Sequence, residues 1–237
     1  MSNELLWFMF AIVNFSLMIL VYKLFGKTGL FVWVAIGTIL ANIQVTKAIK
    51  LFGMDATLGN IMYGTLFLAT DCLGENYSKK DGQKAVIFGF VAMISTLIIM
   101  QMALLFNPSD SDISQSSLET IFGFLPRVAL GSLAAYVVSQ FFDVFMFDKI
   151  KQKWPSDKLL FLRNNGSTLL SQLIDTSIFV PIAFLGVYDM KVFWGIFLST
   201  YLIKVIVALL DTPFLYLMKK IKPLNIGEID LNKKNNN

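Results

Sequence analysis

Seven stretches of about 20 predominantly apolar residues run through this chain, near 5–25, 29–49, 57–75, 84–106, 118–147, 165–188 and 192–218. Each is long enough to cross the hydrocarbon layer of a bilayer. There, every backbone N–H and C=O must find its partner inside the protein, so such stretches become helices. The expected fold is an all-α integral membrane protein, a bundle of about seven transmembrane helices in one domain over 1–224. Residues 225–237, ending NKKNNN, read as a disordered cytoplasmic tail. Composition agrees, since 56% hydrophobic, 15% charged and a mean hydropathy of +0.66 are too apolar for a soluble chain of 237 residues. The third stretch is short and ends in Asp71 and Glu75. The fifth is long and carries Pro126 near its start, which suggests a tilt, a kink or a re-entrant lead-in.

Lys and Arg orient the bundle. With a cytoplasmic C-terminus, fifteen of them fall in inner loops and the tail, against Lys47, Lys50 and Lys191 outside. That bias requires an odd number of spans with the N-terminus outside. The segment 107–119 (NPSDSDISQSSLE) has no Lys or Arg, as an external loop should. Glu4 precedes the first apolar run and no basic residue does, so the start does not read as a signal peptide.

Several chemistries drop out. No His and a single Cys, Cys72, exclude a zinc cluster, a disulfide framework and His-dependent triads. With no GxxxxGK[ST] and no GxGxxG, nothing cradles ATP or a dinucleotide. No metal and no cofactor are expected. The net charge of +4 sits in loops, where it sets topology instead of binding nucleic acid.

Ionisable groups inside apolar runs carry the functional signal. Arg127 and Lys204 are basic, with Asp71, Glu75, Asp143, Asp175 and Asp211 as acidic candidates to pair with them. A mid-bilayer charge costs about 2.5–3.5 kcal/mol even on lenient scales, so such groups face the interior and have partners. On span five Ser132, Tyr136, Ser139, Gln140 and Asp143 recur at helical period; on span six Ser167, Thr168, Ser171, Gln172 and Asp175 do the same. Both stripes contain S-Q-x-x-D, each with a Gly-Ser pair and an Arg (Arg127, Arg163) upstream. Corresponding motifs on antiparallel spans leave open an inverted pairing of spans five and six, whose interface would hold a substrate. The plainer readings stay open too. Lys204 with Asp175 or Asp143 also suits a purely structural pair, Asp71 and Glu75 also suit interfacial carboxylates, Tyr136 also suits packing, and Asp211 suits a helix end.

Many polar groups converging without a nucleophile–His pair or a metal set suit binding and passage better than bond breaking. Two carboxylates at i, i+4 with nearby amides accept hydrogen bonds from an NH-rich face and donate to a carbonyl. A guanine-like edge is such a ligand, although composition alone fits any small polar solute.

An ordered set of residues then carries a resemblance: Asn42-Ile43 with Lys47; Leu68-Ala69-Thr70-Asp71 with Glu75 and Tyr77; Arg127 with Ser132, Gln140 and Asp143; Arg163 with Ser167, Gln172 and Asp175-Thr176; and Lys204. Together they resemble the queuosine precursor transporters of the vitamin-uptake type over residues 29–218, leaving the first span as an extra. The resemblance implies a multi-pass carrier of the bacterial inner membrane that takes in 7-deazaguanines such as preQ0, preQ1 or queuine for tRNA modification. It also implies the site. Asp71 and Glu75 would accept from the purine-like N–H edge, while Asn42, Gln140 and Gln172 would read the amide edge. Asp143 and Asp175 would complete the acceptor set or carry a proton, with Arg127 and Lys204 as counter-charges. Lys47 would be a lid or a ligand, and Tyr136 belongs to the same stripe. The chain departs from the family pattern over Tyr77–Lys84, where Tyr-Gly followed by Ala-Arg is expected.

Two rivals stand beside the carrier: a substrate-binding membrane subunit that needs a separate energising ATPase, and an intramembrane aspartyl-type enzyme built on Asp143 and Asp175. The expected partners are the small-molecule substrate and membrane lipid, with a homodimer left open.

Overall fold

The computed structural model describes residues 2–153 and 160–226. Its helices are α1 (Asn3–Val45), α2 (Gly59–Asn76), α3 (Lys79–Ala103), α4 (Gln115–Lys153), α5 (Leu160–Phe184) and α6 (Met190–Lys220). A hairpin of β1 (Ala48–Leu51) and β2 (Met54–Thr57) joins α1 to α2. Among the described residues, four helical stretches are long and apolar enough to cross a membrane: Asn3–Val45, Lys80–Ala103, Gln115–Ser139 and Met190–Val207. Large apolar side chains such as Leu5, Met9, Ile12, Ile98, Ile99 and Met102 are exposed on these helices, as a surface facing lipid requires.

The expected first and second spans are two helical segments within Asn3–Val45 that meet at a sharp break at Gly26, where φ is 56° and ψ is −132°. Only glycine adopts that backbone readily. The carbonyls of Lys23 and Leu24, in the turn before the break, accept 2.8 Å hydrogen bonds from the amides of Leu224 and Ile226. The chain beyond α6 thus returns to satisfy polar groups that a helix break leaves without intrahelical partners. The segment expected to be tail therefore begins with two placed residues, Asn225 and Ile226; 227–237 lie outside the described residues. A side chain at Gly26 would set its Cβ 2.1 Å from Asn225 Oδ1. Gly26→Ala is therefore expected to destabilise the protein by about 1–3 kcal/mol. Unfolding in detergent measures this, and an unchanged midpoint would contradict the strain assigned to the kink.

Two further differences from the sequence expectation have physical causes. The second span stops at Val45 because the chain turns into the hairpin, so the fold is helical with one small sheet. Phe52 and Gly53, with φ of 49° and 76°, form the two-residue turn that matches strand twist. The hairpin is tied down by Asn3 Nδ2 donating to Lys50 O (2.8 Å), Phe52 N to Glu4 Oε1 (3.1 Å) and Ser199 Oγ to Asp55 O (2.8 Å). Pro126, in turn, sits inside a continuous α4 and makes no re-entrant segment. Proline removes the amide that would have bonded the carbonyl four residues back, and that carbonyl, of Phe122, accepts from Gln101 Nε2 on α3 at 2.6 Å.

The start of α1 and the hairpin share one end of the bundle. At the other end lie the Gly26 kink, the Lys27–Asp81 ion pair (2.7 Å) and the end of α6, with Asn76 Nδ2 donating to Tyr22 Oη at 2.9 Å. The start of α1 and the end of α6 thus lie at opposite ends of the bundle. Two apolar clusters form the interior. One joins Phe15, Met18, Tyr22 and Leu30 of α1 to α2, the hairpin and α6; the other joins Val128 and Ala135 of α4 to Phe179 and Phe184 of α5 and Phe193 and Ile196 of α6.

Candidate functional site

A cavity of about 620 Å³ lies within the bundle, with lining residues from all six helices. Helix α2 contributes Asn60, Tyr63, Phe67, Thr70, Asp71 and Gly74, one face at spacings of three and four. From Asn60 to Gly74 that wall extends about 21 Å at 1.5 Å per residue. Facing it are Thr38 and Asn42 of α1, Gln83 and Phe90 of α3, Ser132 and Tyr136 of α4, Asp175 and Phe179 of α5, and Lys204 of α6.

Two polar constellations border this cavity. In the first, Lys204 Nζ pairs with Asp175 Oδ2, while Asp175 Oδ1 accepts from Ser139 Oγ at 3.4 Å. The ammonium also stands 5.9 Å from the centre of the Phe179 ring, within cation–π range. The pair is mostly buried, with side chains 11% and 15% exposed for Lys204 and Asp175, so each charge depends on the other for its solvation. The Ser139–Asp175 bond joins the serine of one S-Q-x-x-D motif to the aspartate of the other.

In the second constellation, Asn42 is buried and donates from Nδ2 to Thr38 O at 2.7 Å. Its Oδ1 accepts from Ser132 Oγ at 3.1 Å, and Ser132 Oγ lies 3.1 Å from Tyr63 Oη. Three helices are thereby linked by side chains that all line the cavity. Next to Ser132 on α4, Tyr136 packs edge-on against Phe90 of α3, ring centres 5.2 Å apart. Aromatic faces and edges of this kind suit a flat heterocycle.

Of the residues singled out in the sequence, Asn42, Asp71, Tyr136, Asp175 and Lys204 line the cavity together. The side chains of Glu75, Gln140, Asp143, Arg163 and Ser167 lie outside the described residues. Gln172 is not among the described lining residues; its Oε1 is buried without a hydrogen-bond partner among them. Lys47 is exposed in the connection between α1 and β1, away from the described cavity wall. Arg127 corrects the expectation of a counter-charge beside the aspartates. Its guanidinium donates from Nε to the carbonyl of Ile182 and from Nη2 to that of Leu185, at the C-terminal end of α5. A helix end offers unpartnered carbonyls and the negative pole of the helix dipole, which satisfy a cation without any carboxylate. Tyr63 was absent from the expected set, although its place on the Asn60–Gly74 face of α2 was a readable signal. No cluster of metal-ligating side chains occurs among the described residues.

Comparison with known proteins gives the family. Residues 57–218 match the family described as "Putative vitamin uptake transporter". A "Probable queuosine precursor transporter" of Bacillus subtilis (strain 168) is 54% identical over 223 residues, which are 94% of this chain and 97% of that protein. A protein of the same description from Haemophilus influenzae is 31% identical over 56% of this chain and 54% of its own length. The "Queuosine precursor transporter" of Escherichia coli (strain K12) is 27% identical over 61% of this chain and 62% of its own. No solved structure matches the chain. Several apolar helices around a cavity that carries polar side chains, together with a family match over most of its length, make this chain a multi-pass membrane protein of the vitamin uptake transporter family, a transporter and not an enzyme.

Proposed function

We propose that the chain imports queuosine precursors, 7-deazaguanines such as preQ0, preQ1 or queuine, across the bacterial inner membrane for tRNA modification. The observation that carries this reading is the cavity, in which Asp71, Asn42, the Lys204–Asp175 pair and the Phe90–Tyr136 rings meet. Its volume falls within the roughly 300–1,000 Å³ of small-molecule sites. A carboxylate takes adjacent N–H donors of a guanine-like edge, amides answer its carbonyl, and aromatic rings hold its plane. The names of the bacterial relatives support the substrate class.

In this reading the hairpin end faces outward and the kink end, with the basic residues near Lys79 and Lys80, faces the cytoplasm. Transport follows if the α4–α5 pair rocks against the other helices, opening the cavity alternately to each side. An aspartyl-type enzyme would need an aspartate free to share a proton with a second one. Asp175 instead accepts from Lys204 and Ser139, which argues against that rival.

Uptake of radiolabelled preQ1 and queuine in a strain that cannot synthesise precursors tests the reading. Expression of the chain is expected to restore queuosine in tRNA, and unchanged tRNA would overturn it. Purified protein in liposomes separates the remaining alternatives: uptake by the lone chain removes the need for a separate ATPase.

A further inference from the structure

The chain of side chains Tyr63–Ser132–Asn42 has only one consistent proton arrangement. Thr38 O can only accept, so the group that Asn42 turns toward it, 2.7 Å away, is the NH2. The Asn42 atom facing Ser132 is then Oδ1, also a pure acceptor, and it takes the single proton of the Ser132 hydroxyl. Ser132 has no second proton, so in its 3.1 Å contact with Tyr63 the phenol is the donor. Tyr63 is thereby left with lone pairs alone for anything else that meets its oxygen. A tyrosine hydroxyl ordinarily adapts to either partner by rotating, and this one cannot without breaking the relay. Both Tyr63 and Ser132 line the cavity.

We infer that Tyr63 is a specificity-determining residue of this cavity: a hydrogen-bond acceptor, fixed in that polarity by Ser132 and Asn42, that reads one N–H of the transported heterocycle. The inference rests on the functional reading above and adds to it. It states which polarity this part of the wall accepts, and that a ligand presenting an acceptor or an alkylated nitrogen there is rejected. Asn42 then acts through Ser132 as a positioning residue, its carbonyl oxygen already engaged.

The test is a binding scan on the purified full-length protein in detergent, with 7-deazaguanine and its N-methyl derivatives, one for each N–H of the ring system. The wild type is expected to bind 7-deazaguanine and to discriminate at least about tenfold against one derivative, the loss expected for a single missing hydrogen bond to a buried partner. Tyr63→Phe removes the acceptor while keeping the ring. It is expected to bind 7-deazaguanine about tenfold more weakly and to lose discrimination against that same derivative, leaving the others ranked as before. Ser132→Ala keeps the tyrosine oxygen but frees its proton to compete at the cavity face, so the same ratio falls partway. If both variants weaken every ligand equally with the ratio intact, or if Tyr63→Phe binds as the wild type does, Tyr63 is a packing residue and the inference fails. A wild type that binds none of the 7-deazaguanines overturns the functional reading instead.

Discussion

Replacing Lys204 by methionine is expected to remove most of the folded protein from the membrane. The substitution keeps the aliphatic volume but strips the ammonium from Asp175, whose described partner would then be the Ser139 hydroxyl alone. Breaking a buried ion pair from one side costs about 3–5 kcal/mol, because the surviving charge stays desolvated without its counter-charge. The cavity exposes a little of each side chain, so the lower end of that range is the better expectation. It remains a large part of the 5–15 kcal/mol that typically separates folded from unfolded protein. Monodisperse yield and an unfolding curve in detergent measure the effect. The double variant Lys204→Met with Asp175→Leu removes both charges and is expected to recover much of the stability. Uptake separates the two roles of the pair. A double variant that is stable but does not transport places the pair in the transport cycle, whereas full recovery of uptake would make it scaffold only.

The second large effect falls on ligand binding. Asp71 is exposed and lines the cavity on the same face of α2 as Tyr63 and Phe67. Asp71→Ala is expected to weaken precursor binding by roughly 10-fold to more than 100-fold, the equivalent of one charge-assisted hydrogen bond of about 1.5–3 kcal/mol. Asp71→Asn, which keeps one acceptor oxygen but no charge, should fall between. Transport kinetics on matched protein levels decide the matter. Equal affinity in the alanine variant would remove Asp71 from the site, and a lowered unfolding midpoint would recast it as structural.

The residues that the sequence singled out by charge share one physical property: they are expensive where they stand. Asp175 and Lys204 lie in apolar runs where an unpaired charge is costly, so each demanded a partner, and the fold pairs them across α5 and α6. Arg127 carried the same signal and was assigned the wrong partner. Its cost is relieved by two backbone carbonyls of α5, and backbone groups look alike in every sequence. Tyr63 carried no signal of cost, only its place on one face of α2, because an aromatic residue in an apolar helix is filler by default; its hydrogen-bond partner Ser132 lies 69 positions away. The hairpin was concealed for a related reason. Its turn is Phe52-Gly53, without the Asn-Gly or Asp-Gly pair that announces a two-residue turn, and its four-residue strands interrupt an apolar pattern that could have continued as helix.

The helices and the all-α class were readable from residue order, because solvation is a local demand. A long apolar run has to close its own hydrogen bonds, and a proline or glycine within it states where that closure is interrupted. Where the interrupted groups find replacements was decided only by packing. Leu224 and Ile226 complete the break at Gly26, and Gln101 serves the carbonyl released by Pro126. The site follows the same division. Its charged members declared themselves by cost, but the direction of the Tyr63–Ser132–Asn42 relay exists only once three distant segments stand within hydrogen-bonding reach.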